Sequence, residues 1–350
     1  MYYRPEFWKT RNEEVKEVMD IVKKGAVRVI TKSAGGRDVY LVEYGEKQDF
    51  NSMATYSSAM GAGGIKYFAD KAGKKPVVFI IGAEHGGEVE GSAAILNFIK
   101  MIETGTDFKN ETIPFLRDCV DNIRLLLIPI VNPDGRARMD IDTVNRIPYD
   151  VFRHYSQGRW NDGTLCEWPQ CKQISPIKEY SSFLGSYFND DGVNIVHDNF
   201  FGKMANETQA IFDVAIDEKP DFTLHLHGAS AKNFMECASY SPPYFKDIAQ
   251  NLKERVTKEA DKEGLQTICG GIKDESGNPW PTFNIMSALH HACGTVSILH
   301  ESSQGVLPPE GKELQEWQGN QTHDEILRQL YILFEQTIKY AHEVREKGII

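Results

Sequence analysis

The run Val77-Val78-Phe79-Ile80-Ile81-Gly82, followed at once by Ala83-Glu84-His85-Gly86-Gly87-Glu88, decides how the rest of the chain is read. Consecutive apolar residues with no polar alternation are expected of a strand covered on both faces, the habit of parallel sheets. Helical spacing then takes over across residues 91–102. Strand, tight turn and helix therefore follow one another directly, and the turn between them carries two carboxylates and an imidazole.

Working outward, three more runs have the same character, at residues 124–131, 222–226 and 295–299. Helical patterns at residues 207–216, 243–263 and 323–346 separate or follow them. The alternation predicts α/β architecture around a largely parallel sheet. Ahead of the deciding run, an amphipathic helix is expected over residues 13–24, then two short strands over 27–31 and 38–44, joined by Ser33-Ala34-Gly35-Gly36. The glycines of residues 61–64 lack the spacing that grips phosphates and are expected to form a flexible connection. Residues 141–200 show no clear period, and so long a loop inside a compact chain is expected to be functional. No repeat or linker interrupts the pattern, so one domain over residues 1–350 is expected.

Each apolar run ends in polar residues: Glu84-His85-Gly86-Gly87-Glu88, Asn132-Pro133-Asp134-Gly135, His225-Leu226-His227-Gly228 and His300-Glu301-Ser302-Ser303. Ligands of open α/β sheets gather beyond the carboxyl ends of the strands, so the four clusters are expected to line one cleft. His85 and Glu88, three apart at a strand-to-helix turn, can face one point and offer the nitrogen and oxygen that zinc accepts, given a third ligand from elsewhere. Alone, the pair reads sooner as a helix start with an acid in its first turn and His85 as an ordinary loop residue. Side chains of the 222–226 strand alternate, so His225 and His227 share a face opposite Phe222, Leu224 and Leu226. His227, last in the strand, is placed to reach a metal; His225, one pleat deeper, is placed to orient a ligand. Glu301 ends another strand, where a carboxylate is costly unless it is paired or reactive. Beside a three-ligand metal it can act as general base; the plain alternative is an ion pair with an arginine. His-Glu-x-x-His and Gly-x-Ser-x-Gly are both absent, which removes the helix-borne zinc site and the serine elbow.

Hydrophobic residues at 41% and charged residues at 25% describe a folded globular chain. Lys and Arg number 39 against 50 Asp and Glu, and the resulting charge of -11 argues against nucleic acid and anionic membranes as partners. No window is apolar enough for a membrane span and Arg4, Glu6 and Lys9 fall where a signal peptide is apolar, so a cytoplasmic location is expected. Six cysteines are too few for a disulfide scaffold. Cys166 and Cys171 flank a short turn and read as a bridge or as free thiols ahead of ligands for a second metal.

The ordered set His85-x-x-Glu88, Asn132-Pro133-Asp134-Gly135, His227 and Glu301 resembles the zinc carboxypeptidases of the carboxypeptidase A kind, and Lys32-Ser33-Ala34-Gly35-Gly36-Arg37 resembles that family's opening strand and turn. The resemblance implies a single-domain α/β/α sandwich with a mixed, largely parallel eight-stranded sheet. It implies one zinc per chain, held by His85, Glu88 and His227, a peptide or peptide-like substrate, and Glu301 as the base that activates water and passes its proton to the leaving amine. The family's Asn-Arg pair, which grips the substrate's terminal carboxylate, is missing: Gly192-Val193-Asn194-Ile195-Val196-His197-Asp198-Asn199-Phe200 stands in that segment. His197 and Asn199 are candidates for the substrate contact. For the oxyanion, Arg138, Arg146 and Arg153 are candidates, Arg146 after Asn145 being most similar to the family's element. No tyrosine occupies residues 277–292, where the family places a mobile phenol. Hydrolysis of N-acyl amino acids or cell-wall peptides on the same scaffold, or a silent binding module, are the other readings.

Overall fold

The structure is a computed structural model and describes residues 3–229, 232–266, 268, 283–311 and 321–348. Its strands in chain order are β1 Ala26–Lys32, β2 Asp38–Tyr44, β3 Val77–Gly82, β4 Arg124–Ile128, β5 Gly158–Trp160, β6 Ser181–Leu184, β7 Phe222–Ala229, β8 Phe234–Cys237 and β9 Val296–Ser303. Seven form one sheet in the order β1-β2-β4-β3-β7-β9-β8. The inner strands β4, β3, β7 and β9 run parallel, while β1, β2 and β8 are antiparallel to their neighbours. The sheet is mixed and largely parallel at its centre, as expected, but the described residues give it seven strands rather than eight. The strand-forming residues of the long loop pair with each other instead: β5 and β6 make a separate two-stranded sheet.

Continuous apolar runs appear where both faces are covered. Val78 and Ile80 of β3 and Leu125 and Leu127 of β4 join the core that includes the helices Asn12–Ile21, Glu90–Thr104, Pro243–Lys262 and His323–Glu346. Val77, Phe79, Ile81, Leu126 and Ile128 join the opposite core, with the helices Asn206–Glu218 and Ile285–Cys293. In β7 the alternation is chemical. Phe222, Leu224 and Leu226 enter the first core, and the other face holds Thr223, His225 and His227, all buried.

Two expectations change. The glycines of residues 61–64 are not a slack connection: they close the short helix Tyr56–Gly61, with Gly63 at φ 69° and the Gly64 N–H donating to Ala59 O at 2.9 Å. The helix Ile285–Cys293, capped by the Asn284 side chain, lies in a stretch where no helix is expected.

Candidate active site

Beyond Gly82 the chain turns sharply, with Ala83 at φ 47°, and the backbone of β3 is laced to the Asn-Pro-Asp-Gly segment. The N–H of Val131 donates to Gly82 O at 3.1 Å and that of Asn132 to Ala83 O at 3.0 Å. A Cβ on Gly86 would lie 2.2 Å from Arg136 N and 2.5 Å from Gly135 C, so glycine is required there by close backbone approach. Asp134 fixes the other side. Its buried carboxylate accepts from Ser33 Oγ at 2.6 Å, the Gly35 N–H and Arg37 guanidinium at 2.8 Å, and the Asp190 N–H at 3.1 Å. The opening turn and Asn-Pro-Asp-Gly are therefore one hydrogen-bonded unit beneath the His85 loop.

On this platform His85, Glu88 and His227 converge, one ligand atom from each lying within 4.8 Å of the others, all three residues buried. His85 Nδ1 is 2.9 Å from Glu88 Oε1, and His227 Nδ1 is 2.6 Å from Glu88 Oε2. Each ring's other nitrogen has its own acceptor: His85 Nε2 faces Asn194 Oδ1 at 3.2 Å, and His227 Nε2 faces Glu84 Oε2 at 2.7 Å. With Nε2–H donating, both Nδ1 lone pairs point into the cluster. Tyr187 stacks on the His85 ring, centroids 4.0 Å apart.

The zinc carboxypeptidase family model matches residues 15–331. The chain belongs to the zinc carboxypeptidase family. Similar solved structures include a metallo-carboxypeptidase from Burkholderia cenocepacia, 14% identical with TM-score 0.56, covering 94% of this chain and 67% of that one. Carboxypeptidase A from Helicoverpa armigera is 17% identical with TM-score 0.52, covering 98% and 75%. A metallo-carboxypeptidase from Pseudomonas aeruginosa, in complex with (2-guanidinoethylmercapto)succinic acid, is 11% identical with TM-score 0.52, covering 94% and 68%. No curated protein matches. At such identities the structures show a shared fold, and the family supplies the cofactor: one zinc. The donor set fits it. Two imidazole nitrogens and a carboxylate suit a borderline-soft cation, and one ligand atom from each already lies within 4.8 Å of the others.

Charge follows the same geometry. Burial alone would raise the Glu84 carboxyl, but His225 and His227 outweigh it and hold it well below the usual carboxylate range. Glu88, against the same burial, is drawn down to about 2 by His85 and His227. Burial disfavours an imidazolium at His227, yet Glu88 and Glu84 raise its pKa well above 6.5. A bound dication takes the place of that proton.

Glu301 stands directly across from His227 in the β7–β9 register. The same face carries a ladder of polar pairs: Thr223 Oγ1 to Thr295 Oγ1 at 2.9 Å, His225 Nε2 to Ser297 Oγ at 2.9 Å, then His227 beside Glu301. No hydrogen bond or ion pair ties the Glu301 carboxylate to another described residue. Burial and the neighbouring Glu88 push its pKa up to about 8.

The remaining expected residues are placed differently. Arg138 turns its guanidinium inward to Leu184 O at 3.0 Å, Gly185 O at 3.2 Å, Phe188 O and Asp190, so its donors fasten the long loop. Asn199 is exposed in a turn with its N–H on Asp198 Oδ1 at 2.7 Å, and no described contact joins it to the cluster. Arg146 is exposed at φ 61°, its N–H donating to Gly305 O at 2.8 Å, its side chain without a described partner. Arg153 bonds Cys166 O and Glu167 at 3.0 Å each. Cys166 and Cys171 are buried free thiols. Sequence reasoning gave no role to Glu84, Lys172 or Tyr187. For Glu84 the signal was present: a carboxylate at the end of a wholly apolar strand, one residue before a histidine.

Proposed function

We propose that the chain is a metallocarboxypeptidase that hydrolyses the last amide bond of a peptide or peptide-like substrate, with Glu301 as general base. The single observation that carries this is the Glu301 carboxylate, free of described partners and one strand across from His227. His85, Glu88 and His227 hold the zinc. When bound, zinc supplies a Lewis acid that polarises the scissile carbonyl and acidifies the attacking water. Glu301 would act as its carboxylate, the form that burial and Glu88 disfavour and that a bound dication would favour. Glu301 takes one proton from the water as oxygen bonds to the carbonyl carbon, then delivers it to the nitrogen as the C–N bond breaks. Arg146, with its side chain unspent, is the candidate to meet the developing oxyanion.

Hydrolysis of N-acyl amino acids or cell-wall peptides on the same scaffold is the second reading, favoured by His197 where the family's carboxylate-binding arginine is expected. The test is a panel of peptides and acylated amino acids with free and amidated C termini, run on zinc-loaded wild type and Glu301→Gln. The proposal expects cleavage confined to free termini, and a loss of roughly 100-fold or more in kcat for Glu301→Gln with zinc still bound. Equal cleavage of both termini ends the carboxypeptidase reading, and undiminished turnover removes Glu301 from the chemistry.

A further inference from the structure

His197 reaches the site on the turn Ile195–His197, capped by Asn194, the same side chain that faces His85. Its ring makes no hydrogen bond with a described residue. Burial, then the positive charges of Lys172, His85 and His227, press its pKa down to about 3, so it cannot replace the charge of an arginine. The charge is next to it. Lys172 ends the turn Gln170–Lys172 within the long loop, and its ammonium lies 3.4 Å from the centroid of the Trp168 ring. That ring is in turn 6.4 Å from His197 and 6.0 Å from Tyr187, which stacks on His85.

Lys172 makes no side-chain hydrogen bond or ion pair with any described residue, although it is half-buried. Three nearby arginines are engaged: Arg138 and Arg153 as above, and Arg159 with His154 Nδ1 at 3.1 Å and Gly163 O at 2.8 Å. Burial presses the Lys172 pKa down to about 8, with Glu301 among the charges opposing that, so the ammonium is electrostatically in touch with both His197 and the proposed base. An indole face steadies such a cation while leaving its three N–H donors unspent. A partly desolvated cation so placed is completed by an anion.

We propose that Lys172, seated on Trp168, binds the carboxylate of the substrate's leaving residue, with the His197 imidazole as an uncharged second contact. The ligand class is an amino acid or peptide bearing a free α-carboxylate. The anchor has moved from the segment after Gly192, where the family carries its arginine, to the turn Gln170–Lys172 earlier in the long loop. The identity of the anion rests on the carboxypeptidase reading above.

The experiment uses zinc-loaded wild type, Lys172→Met, Lys172→Gln and Lys172→Arg, with zinc content and melting temperature checked for each. Calorimetry measures binding of N-acetyl-L-phenylalanine and of its primary amide, and kinetics measure an N-acylated dipeptide and its C-terminal amide. Wild type should bind the acid about tenfold or more tightly than the amide. Lys172→Met and Lys172→Gln should lose that difference and raise KM for the free dipeptide roughly tenfold or more, with kcat within about threefold; Lys172→Arg should restore the preference. Acid preference that survives in both neutral variants overturns the inference. An equal fall in kcat for free and amidated dipeptides also overturns it, by placing the charge on the transition state instead. A wild type that shows Lys172-dependent acid binding yet hydrolyses neither dipeptide supports the anion site and ends the carboxypeptidase reading.

Discussion

Glu84 joins His225 to His227: one carboxylate oxygen lies 3.0 Å from His225 Nδ1 and the other 2.7 Å from His227 Nε2. Since His225 Nε2 is held by Ser297 Oγ at 2.9 Å, a chain of side chains runs from β9 through β7 to the loop after β3 and ends on His227, one of the three proposed metal ligands. A carboxylate accepting from Nε2–H would fix the His227 tautomer and strengthen Nδ1 as the proposed donor to zinc.

Glu84→Gln should therefore keep the fold and weaken zinc binding by roughly 10–100-fold. Competition with a chelator of known affinity measures it. Unchanged affinity would reduce Glu84 to a packing residue.

Asp134 holds the platform. Asp134→Ala, which removes the acceptor for Ser33, Gly35, Arg37 and Asp190, should cost roughly 2–4 kcal/mol in urea unfolding at neutral pH. Burial raises this carboxyl, but the Ser33 hydroxyl, the Asp190 and Gly35 N–H groups and Arg37 bring it below 3.8. A lowered folded pKa means the contribution is complete above the unfolded value and is lost as pH falls through the folded one. As pH falls below about 4, wild type should therefore lose more stability than Asp134→Asn; parallel curves would contradict the assignment.

Gly86→Ala places a methyl group 2.2 Å from Arg136 N, against backbone that the Asn132 cap holds in place through Gly135 N–H at 2.8 Å. The variant should lose about 1–3 kcal/mol of stability together with zinc affinity, because His85 and Glu88 flank the displaced residue. Calorimetric melting and zinc stoichiometry read both, and wild-type values for both would show that the loop yields freely.

Removing the metal should lower the melting temperature, because zinc binds the folded state alone. Dialysis against a chelator followed by zinc readdition should lower and then restore it, and the His227→Ala variant should show little response. An identical response in His227→Ala would place the stabilising ion elsewhere.

Much of the site was legible because its residues stand at strand ends. The apolar runs of β3, β4, β7 and β9 are buried on both faces and so carry a continuous signal, and each polar residue that interrupts their ends is conspicuous. His85, Glu88, His227 and Glu301 stood out in this way, as did the alternation that sets His225 and His227 against Leu224 and Leu226. The loop over residues 141–200 was opaque because its order comes from long-range contacts such as Arg138 to the Gly185 and Phe188 carbonyls, which leave no periodicity. Arg138 read as a substrate cation for that reason, and Lys172, on a three-residue turn, carried no local sign of its seat on Trp168.

Anomalous diffraction at the zinc edge, from crystals of the zinc-loaded chain, decides whether His85, Glu88 and His227 share one zinc. One peak bonded to both Nδ1 atoms and the Glu88 carboxylate, with Glu301 facing it, is expected; a peak away from these residues, or none, would contradict the shared site.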